Sequence, residues 1–296
     1  MSKDPFANYF IQKLCRYIDD GKIKRIIEII SSNILDIGAN THGTRVVQQI
    51  INHLNTKELL HMFLNMILPY IVPLLKELNG THIIQKLLID YPGCGDTINK
   101  IIIDNSTSLA VHRHGCCVLQ KFLDGPHKKL KNGLITKLIE DCHILIIDQF
   151  GNYVIQSILL LNDKSAAQRI AFKIISNITY YSKHRYSSNV VEKCFDSCGE
   201  EEKKKFIELL SRHEIIEDLI FDEHGNYVIQ KALYYANKKT KDHMLNCIIS
   251  LIPRIKQISF GEKLLIKLYS YYPQLSPNYS NNDSKMLNNS EKNVNN

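Results

Sequence analysis

Long unbroken apolar runs are missing from this 296-residue chain. The most apolar run, LLHMFLNMILPYIVPLL at 59–75, is interrupted by His61, Asn65, Pro69 and Pro73. It is too short and too broken to cross a bilayer, so it reads as two buried helical segments joined at Pro69, with no membrane partner expected. The first ten residues, MSKDPFANYF, hold no apolar stretch of the secretory kind. The eight cysteines include no paired C-x-x-C arrangement, which points to reduced thiols in a cytosolic or nuclear protein. Signatures of catalysis are missing too: there is no P-loop, no H-E-x-x-H, no G-x-S-x-G and no dinucleotide-binding glycine pattern. HRHGCC at 112–117 mixes His and Cys without the ligand spacing of a closed zinc site. No enzymatic activity, cofactor or metal is expected.

What is present is enough apolar material for a core, 44% of the residues, and a net charge of +7. The last 23 residues, 274–296, hold two acids and two lysines, so the positive excess sits on the part before them. Such an excess fits a polyanionic partner without demanding one. Residues 274–296 are Asn/Ser-rich with almost nothing apolar, and read as a disordered tail.

One unit is written seven times: FANYFIQK (6–13), HGTRVVQQ (42–49), NGTHIIQK (79–86), HGCCVLQK (114–121), FGNYVIQS (150–157), YSSNVVEK (186–193) and HGNYVIQK (224–231). Their third residues, Asn8, Thr44, Thr81, Cys116, Asn152, Ser188 and Asn226, follow at steps of 36, 37, 35, 36, 36 and 38. A degenerate eighth stretch, FGEKLLIK (260–267), places Glu262 another 36 on. A near-constant period of this size marks a solenoid, each unit burying its apolar stripe only against its neighbours. The segments are long and lack hairpin turn signals, so the fold expected is all-α: a helix pair per repeat.

On a helix at 100° per residue, Asn152 and Gln156 stand about 40° apart on one face, while Val154 and Ile155 point to the other. The second pair is core: Val46/Val47, Ile83/Ile84, Val118/Leu119, Val190/Val191 and Val228/Ile229 occupy the same places. The first face carries a short residue with an amide partner: Asn8/Gln12, Thr44/Gln48, Thr81/Gln85, Cys116/Gln120, Asn152/Gln156 and Asn226/Gln230, with Ser188/Glu192 alone holding a carboxylate. Beside it runs a column of flat or planar groups, Tyr9, Arg45, His82, Tyr153, Asn189 and Tyr227, with Cys117 the exception. Beneath these come Lys13, Lys86, Lys121, Lys193 and Lys231. A plain surface helix would vary its polar residues freely. Planar groups at one-repeat intervals, with hydrogen-bonding pairs between them and lysines for phosphate, suit a single nucleic-acid strand with its bases splayed.

YSSNVVEKC, FGNYVIQ, HGNYVIQK and the 36-residue period resemble the Pumilio/PUF family of messenger-RNA regulators, from residue 1 to about 273. The resemblance implies a right-handed crescent, a Pumilio homology domain over 1–273, with seven code-bearing repeats and a C-terminal cap in 259–274. It also implies RNA bound antiparallel, the C-terminal repeat meeting the 5′ base. Carried over repeat by repeat, the family code gives uracil for Asn226/Gln230, Asn152/Gln156 and Asn8/Gln12. Guanine follows for Ser188/Glu192, whose carboxylate can accept from both N1–H and the N2 amino group. Cys116/Gln120 resembles the adenine-reading pairs. The result is 5′-U-G-U-A, two bases of adenine or relaxed choice at Thr81 and Thr44, then U. Weaker stacking is expected at Cys117. The family has eight repeats, and this chain opens inside what matches the second, so the expectation is either a truncated N-terminus, the favoured reading, or an end covered by something else.

The resemblance further implies a cytoplasmic, monomeric protein. It would bind UGUA elements in 3′ untranslated regions and lower translation or stability of those messages through deadenylase and repressor proteins on the convex face. Two other readings fit a helical solenoid. Armadillo- or HEAT-like protein-binding arrays have longer repeats, roughly 40–47 residues. A nucleolar PUF-like ribosome-assembly factor would bind RNA with little base preference and an eroded code. The histidines at 42, 114 and 224 stand two residues before the code positions, where other repeats have Phe or Tyr, and are expected to pack rather than bind metal.

Overall fold

A computed structural model describes residues 1–276 of the chain. Among these residues there are helices, turns and bends and no strands. The seven stretches all lie at the start of a helix: α1 (Ala7–Leu14), α2 (Gly43–Ile51), α3 (Thr81–Asp90), α4 (Arg113–Asp124), α5 (Gly151–Leu160), α6 (Ser187–Ser197) and α7 (Gly225–Tyr235). The degenerate stretch forms α8 (Gly261–Tyr271).

The described residues pack as two compact units, Met1–Ile170 and a second that begins at Ala171. Each is built by stacking neighbouring repeats, the arrangement of a helical-repeat solenoid. In the first unit α1 packs on α2, α2 on α3, and α4 on α5; in the second, α6 packs on α7. The residues expected to form the core do so. Val46, Val47, Ile83, Ile84, Val154 and Ile155 in the first unit, and Val190, Val191, Val228 and Ile229 in the second, are all 0% exposed. In α1 the corresponding Phe10 is exposed.

The repeats that end in α2 to α7 contain three helical segments, where a pair was expected, while the one that ends in α8 has two. A longer outer helix such as Lys57–Ile67 or Glu200–Leu210 is followed by a short one, Ile71–Leu75 or His213–Ile220, and then by the helix bearing the repeated stretch. Polar residues with strong turn preference sit at several of these breaks: Asn33, Asn105, Asp141 and Asn177 each cap a short helix in a non-helical or bridging conformation. Pro69 makes the break inside the apolar run, where Leu68–Tyr70 is a 3₁₀ turn between two helices that bury Leu59, Phe63, Ile67, Ile71, Leu74 and Leu75.

The glycine that opens most of the stretches is set by close packing. A Cβ at Gly151 would stand 2.7 Å from the Leu145 carbonyl oxygen, and one at Gly225 2.9 Å from that of Leu219. The repeat of α6 has Ser187 at this place, and its hydroxyl turns the close approach into a hydrogen bond, donating to the Tyr181 carbonyl at 2.8 Å. Gly151→Ala forces the short helix away from α5 and is expected to lower stability by about 1–3 kcal/mol. Urea unfolding read by circular dichroism measures it, with Ser187→Ala as the comparison that removes a hydrogen bond without adding bulk.

At the C-terminal end, Pro273–Leu275 forms a 3₁₀ turn that buries Leu275. The first residues assigned to a tail therefore belong to the packed array, because a single leucine with a site to fill outweighs the polar composition around it. The rest of that segment lies outside the described residues.

Candidate nucleic-acid interface

The position four residues before the code residue does not stand out in the repeat pattern, yet in every repeat but that of Thr81 its side chain accepts from the first turn of the helix. The Asp148 carboxylate accepts from the Phe150 and Gly151 backbone N–H groups at 2.8 Å each. Asp4 does the same for Phe6 and Ala7, and Asp222 for His224 and Gly225. These bonds hold the Asp4 carboxyl below its ordinary value. Asn40 is the cap of α2. In α4 and α6 the acceptor is a histidine Nδ1, of His112 and His184. A negative or neutral acceptor here satisfies N–H groups that the first turn cannot pair internally.

The same turn also holds the first residue of the pair. In the three repeats with an Asp cap the next code residue is Asn, and it is buried: Asn8, Asn152 and Asn226 are 0%, 1% and 4% exposed. The Asn152 amide donates both its hydrogens backward, to the Asp148 and Gln149 carbonyls at 2.8 and 3.1 Å. Asn226 donates to Asp222 and Glu223, and Asn8 to Asp4 and Pro5. The Asn oxygen then accepts from the Gln amide one turn on: Gln12 at 2.8 Å, Gln156 at 2.9 Å and Gln230 at 3.0 Å. Of the pair, only the Gln keeps a donor and an acceptor facing outward, and the Asn fixes which way round they stand. The sequence pattern suggests that the Asn amide shares in the base contact. In the structure the Asn donors go to main-chain carbonyls and its oxygen holds the Gln amide. The signal for this is Asp-x-x-x-Asn in each of these repeats.

The other pairs differ. Gln48 donates to the Thr44 hydroxyl at a long 3.4 Å, and that hydroxyl donates to the Asn79 carbonyl at 3.0 Å. The Thr81 hydroxyl is buried without a partner, so Thr81 and Gln85 share a face but no hydrogen bond. Gln120 donates to the Cys116 backbone carbonyl and its oxygen accepts from Ser157, while burial and the neighbouring Cys117 thiol push the Cys116 thiol up to about 11. Cys116 is therefore a small neutral group at the reading position. Ser188 is buried and its hydroxyl reaches the Arg185 carbonyl rather than the Glu192 carboxylate.

Every member of the planar column is solvent-exposed: Tyr9, Arg45, His82, Cys117, Tyr153, Asn189 and Tyr227. Tyr9, Tyr153 and Tyr227 keep 54%, 56% and 48% of their surface open, so the rings are available for stacking. Asn189 donates back to the Arg185 and Tyr186 carbonyls. The lysines divide. Lys13 and Lys121 are exposed and Lys193 half-buried. Lys86 is instead paired with Asp90 at 2.7 Å and Lys231 with Asp196 at 2.8 Å, so neither ammonium is a spare charge for phosphate.

In the second unit α6, α7 and α8 border a cleft of about 340 Å³, lined by Glu192, Tyr227, Gln230, Lys231, Tyr234, Lys267 and Tyr271 among others. Burial pushes the Glu192 carboxyl above its ordinary value, while the Lys231 and Lys267 ammoniums pull it back down. Lys267, from the degenerate stretch, has no role in the sequence pattern. Its ammonium lies 5.4 Å from the centre of the Tyr227 ring, close enough for a cation–π contact. Among the described residues no cluster of His, Cys, Asp and Glu could hold a metal ion.

The family model described as Pumilio-family RNA binding repeat (PUF) matches residues 1–31, 33–67, 106–132, 141–171, 177–211 and 216–249, passing over the repeat of Thr81. A Pumilio domain-containing protein of Schizosaccharomyces pombe is 34% identical over 272 residues, 91% of this chain and 40% of its own length. Pumilio homolog 12 of Arabidopsis thaliana is 32% identical over 90% of this chain and 46% of its own. This chain thus spans less than half of either relative. Among solved structures, the Puf4 RNA binding domain bound to the HO endonuclease RNA 3′ UTR recognition sequence aligns with a TM-score of 0.72 at 31% identity, covering 89% of this chain and 85% of that one. The RNA-binding domain of yeast Puf5p bound to AAT2 RNA aligns at 0.74 and 26% identity, covering 93% and 85%. With the seven stretches, the helical repeats and these matches in agreement, the chain belongs to the Pumilio/PUF family.

Proposed function

We propose that this protein binds single-stranded RNA sequence-selectively, at UGUA-containing elements of messenger-RNA 3′ untranslated regions, and that bound messages are repressed or degraded. The observation that carries the reading is Glu192. It is the one carboxylate among seven equivalent positions, and it is placed in a cleft whose burial disfavours its charge. A plain surface helix has no need for that charge, whereas guanine's two adjacent donors need it. Support for RNA as the ligand comes from the relatives, whose solved domains hold 3′ UTR recognition sequences.

The assignments run from α7 to α1. Gln230 and Gln156, each held by its Asn, offer uracil one N–H for a carbonyl and one oxygen for N3–H. Glu192 takes guanine between them. Cys116, small and neutral, leaves room for adenine beside Gln120. Thr44 has its hydroxyl committed to the Asn79 carbonyl, so base choice opposite Gln48 is relaxed. Gln12 takes a final uracil. Repression would act through deadenylation or repressor proteins bound away from the reading helices, in the cytoplasm, with the protein as a monomer.

Fluorescence anisotropy at fixed salt with 5′-UGUAAAU and 5′-UUUAAAU tests the reading. A preference of about 5–150-fold for the first is expected, the equivalent of about 1–3 kcal/mol for one misread base. Equal binding to both that collapses as salt rises leaves only phosphate attraction, and returns the chain to the low-specificity or protein-binding readings.

A further inference from the structure

The lysine beneath the planar column in α7 has neighbours that no phosphate role explains. Lys231 donates to Asp196 Oδ1 at 2.8 Å, and the Tyr235 hydroxyl donates to the same oxygen at 2.9 Å. Asp196 lies one turn beyond Glu192 on α6, so the bond ties α7 to the helix that carries the guanine-reading carboxylate. Lys231 and Glu192 line the same cleft. The Lys231 ammonium also stands 5.8 Å from the Tyr235 ring centre, within reach of a cation–π contact. Although burial works the other way, the bonds from Lys231 and Tyr235 hold Asp196 below its ordinary value, so the anchor stays charged.

From this geometry we infer that Lys231 is a specificity-positioning residue: Asp196 and Tyr235 fix its ammonium in the cleft that Glu192 lines, where its charge favours the carboxylate form that guanine selection needs. The inference rests on the proposed reading of Glu192 for its consequence in RNA, but not for its electrostatics. Withdrawal from water disfavours the charged form of a carboxylate, and a nearby opposite charge offsets that penalty. A protonated Glu192 would present a donor toward guanine's donors. A flexible, solvated lysine would supply little; one held by an aspartate and packed on a ring supplies a fixed field.

The charged and titratable groups around Glu192 come from three helices. Its own helix contributes Lys193 and Asp196, the latter opposing ionisation. From α7 come Lys231, Tyr227, Tyr234 and Tyr235, and from α8 and the residue after it Lys267, Tyr271 and Tyr272. Both ammoniums favour the charged form of Glu192, and Lys231 is the one fixed to α6 through Asp196. Lys267 lies over Tyr227 rather than being tied to α6.

The sign of the effect follows. Guanine binds the ionised form, so affinity for a UGU-containing RNA falls as pH drops through the Glu192 value, whereas affinity for the UUU counterpart does not. Removing Lys231 moves that value up and carries the loss of guanine preference to higher pH. The test titrates the Glu192 side-chain carboxyl by carbon-13 NMR in the RNA-free protein and follows guanine-over-uracil preference against pH, in wild type, Lys231→Met, Lys231→Arg and Lys267→Met. Expected are an upward shift of the Glu192 midpoint in Lys231→Met, a smaller one in Lys267→Met and a near-wild-type midpoint in Lys231→Arg, with the preference profile moving in step. An unchanged Glu192 midpoint in Lys231→Met overturns the inference, as does an equal loss of binding to both RNAs at every pH, the mark of a phosphate contact. Should wild type show no guanine preference at any pH, the base assignment fails while the NMR midpoints still decide whether Lys231 governs Glu192.

Discussion

Replacing Glu192 by Gln is expected to cost 5′-UGUAAAU about 5–150-fold in affinity at neutral pH, and to leave 5′-UUUAAAU nearly untouched. The side chains are close to isosteric, so the cleft between α6, α7 and α8 keeps its shape. What changes is that one acceptor becomes an NH₂ facing a guanine donor, and a buried donor without an acceptor costs about 1–3 kcal/mol. A gain should accompany the loss. Ser188 beside the new amide would reproduce the small-residue and amide arrangement of Cys116/Gln120, so adenine becomes the preferred second base and 5′-UAUAAAU should bind best. Competition among the four second-base variants of the heptamer gives the answer in one experiment, with melting temperature as the control for folding. Unchanged guanine preference would mean that Glu192 is not the reading group.

Much of this face is legible in the amino-acid sequence alone. The 36-residue period places all eight helices, because repetition converts a weak local signal into a strong one. The 3.6-residue period then separates core from reading face, and Val46/Val47 through Val228/Ile229 are buried as their spacing requires. What stays hidden is contact between side chains of different turns and repeats. Nothing in the stretch FGNYVIQS says that Asn152 is sunk to 1% exposure with both amide hydrogens committed. Nor does the recurrence of Lys reveal that Lys231 faces Asp196, 35 residues earlier and on the neighbouring helix. A column of like residues invites one role for all. The ion pairs of Lys86 and Lys231 show that members of such a column part company once their neighbours are known.

The planar column makes the second large prediction. Tyr153 and Tyr227 are half-exposed, carry no share of the reading hydrogen bonds, and lie in different repeats. Stacking is worth about 1–3 kcal/mol per base, and residues that share no partner act additively. The double variant Tyr153→Ala/Tyr227→Ala should therefore lose about 2–6 kcal/mol, roughly 30-fold or more in affinity. The loss should be alike for 5′-UGUAAAU and 5′-UUUAAAU, because a ring stacks on any base and reads none. It should also persist at high salt, where phosphate contacts have faded. Affinity measured for both RNAs across a salt series separates the cases. If the loss falls mainly on the guanine-bearing RNA, the tyrosines position Glu192 rather than support the bases; if no loss appears, the bases lie elsewhere than between these rings. Tyr227 has Lys267 over its ring, so its single variant also withdraws a support from the second cation near Glu192. Tyr153 has no such tie, and the comparison of the two single variants isolates pure stacking.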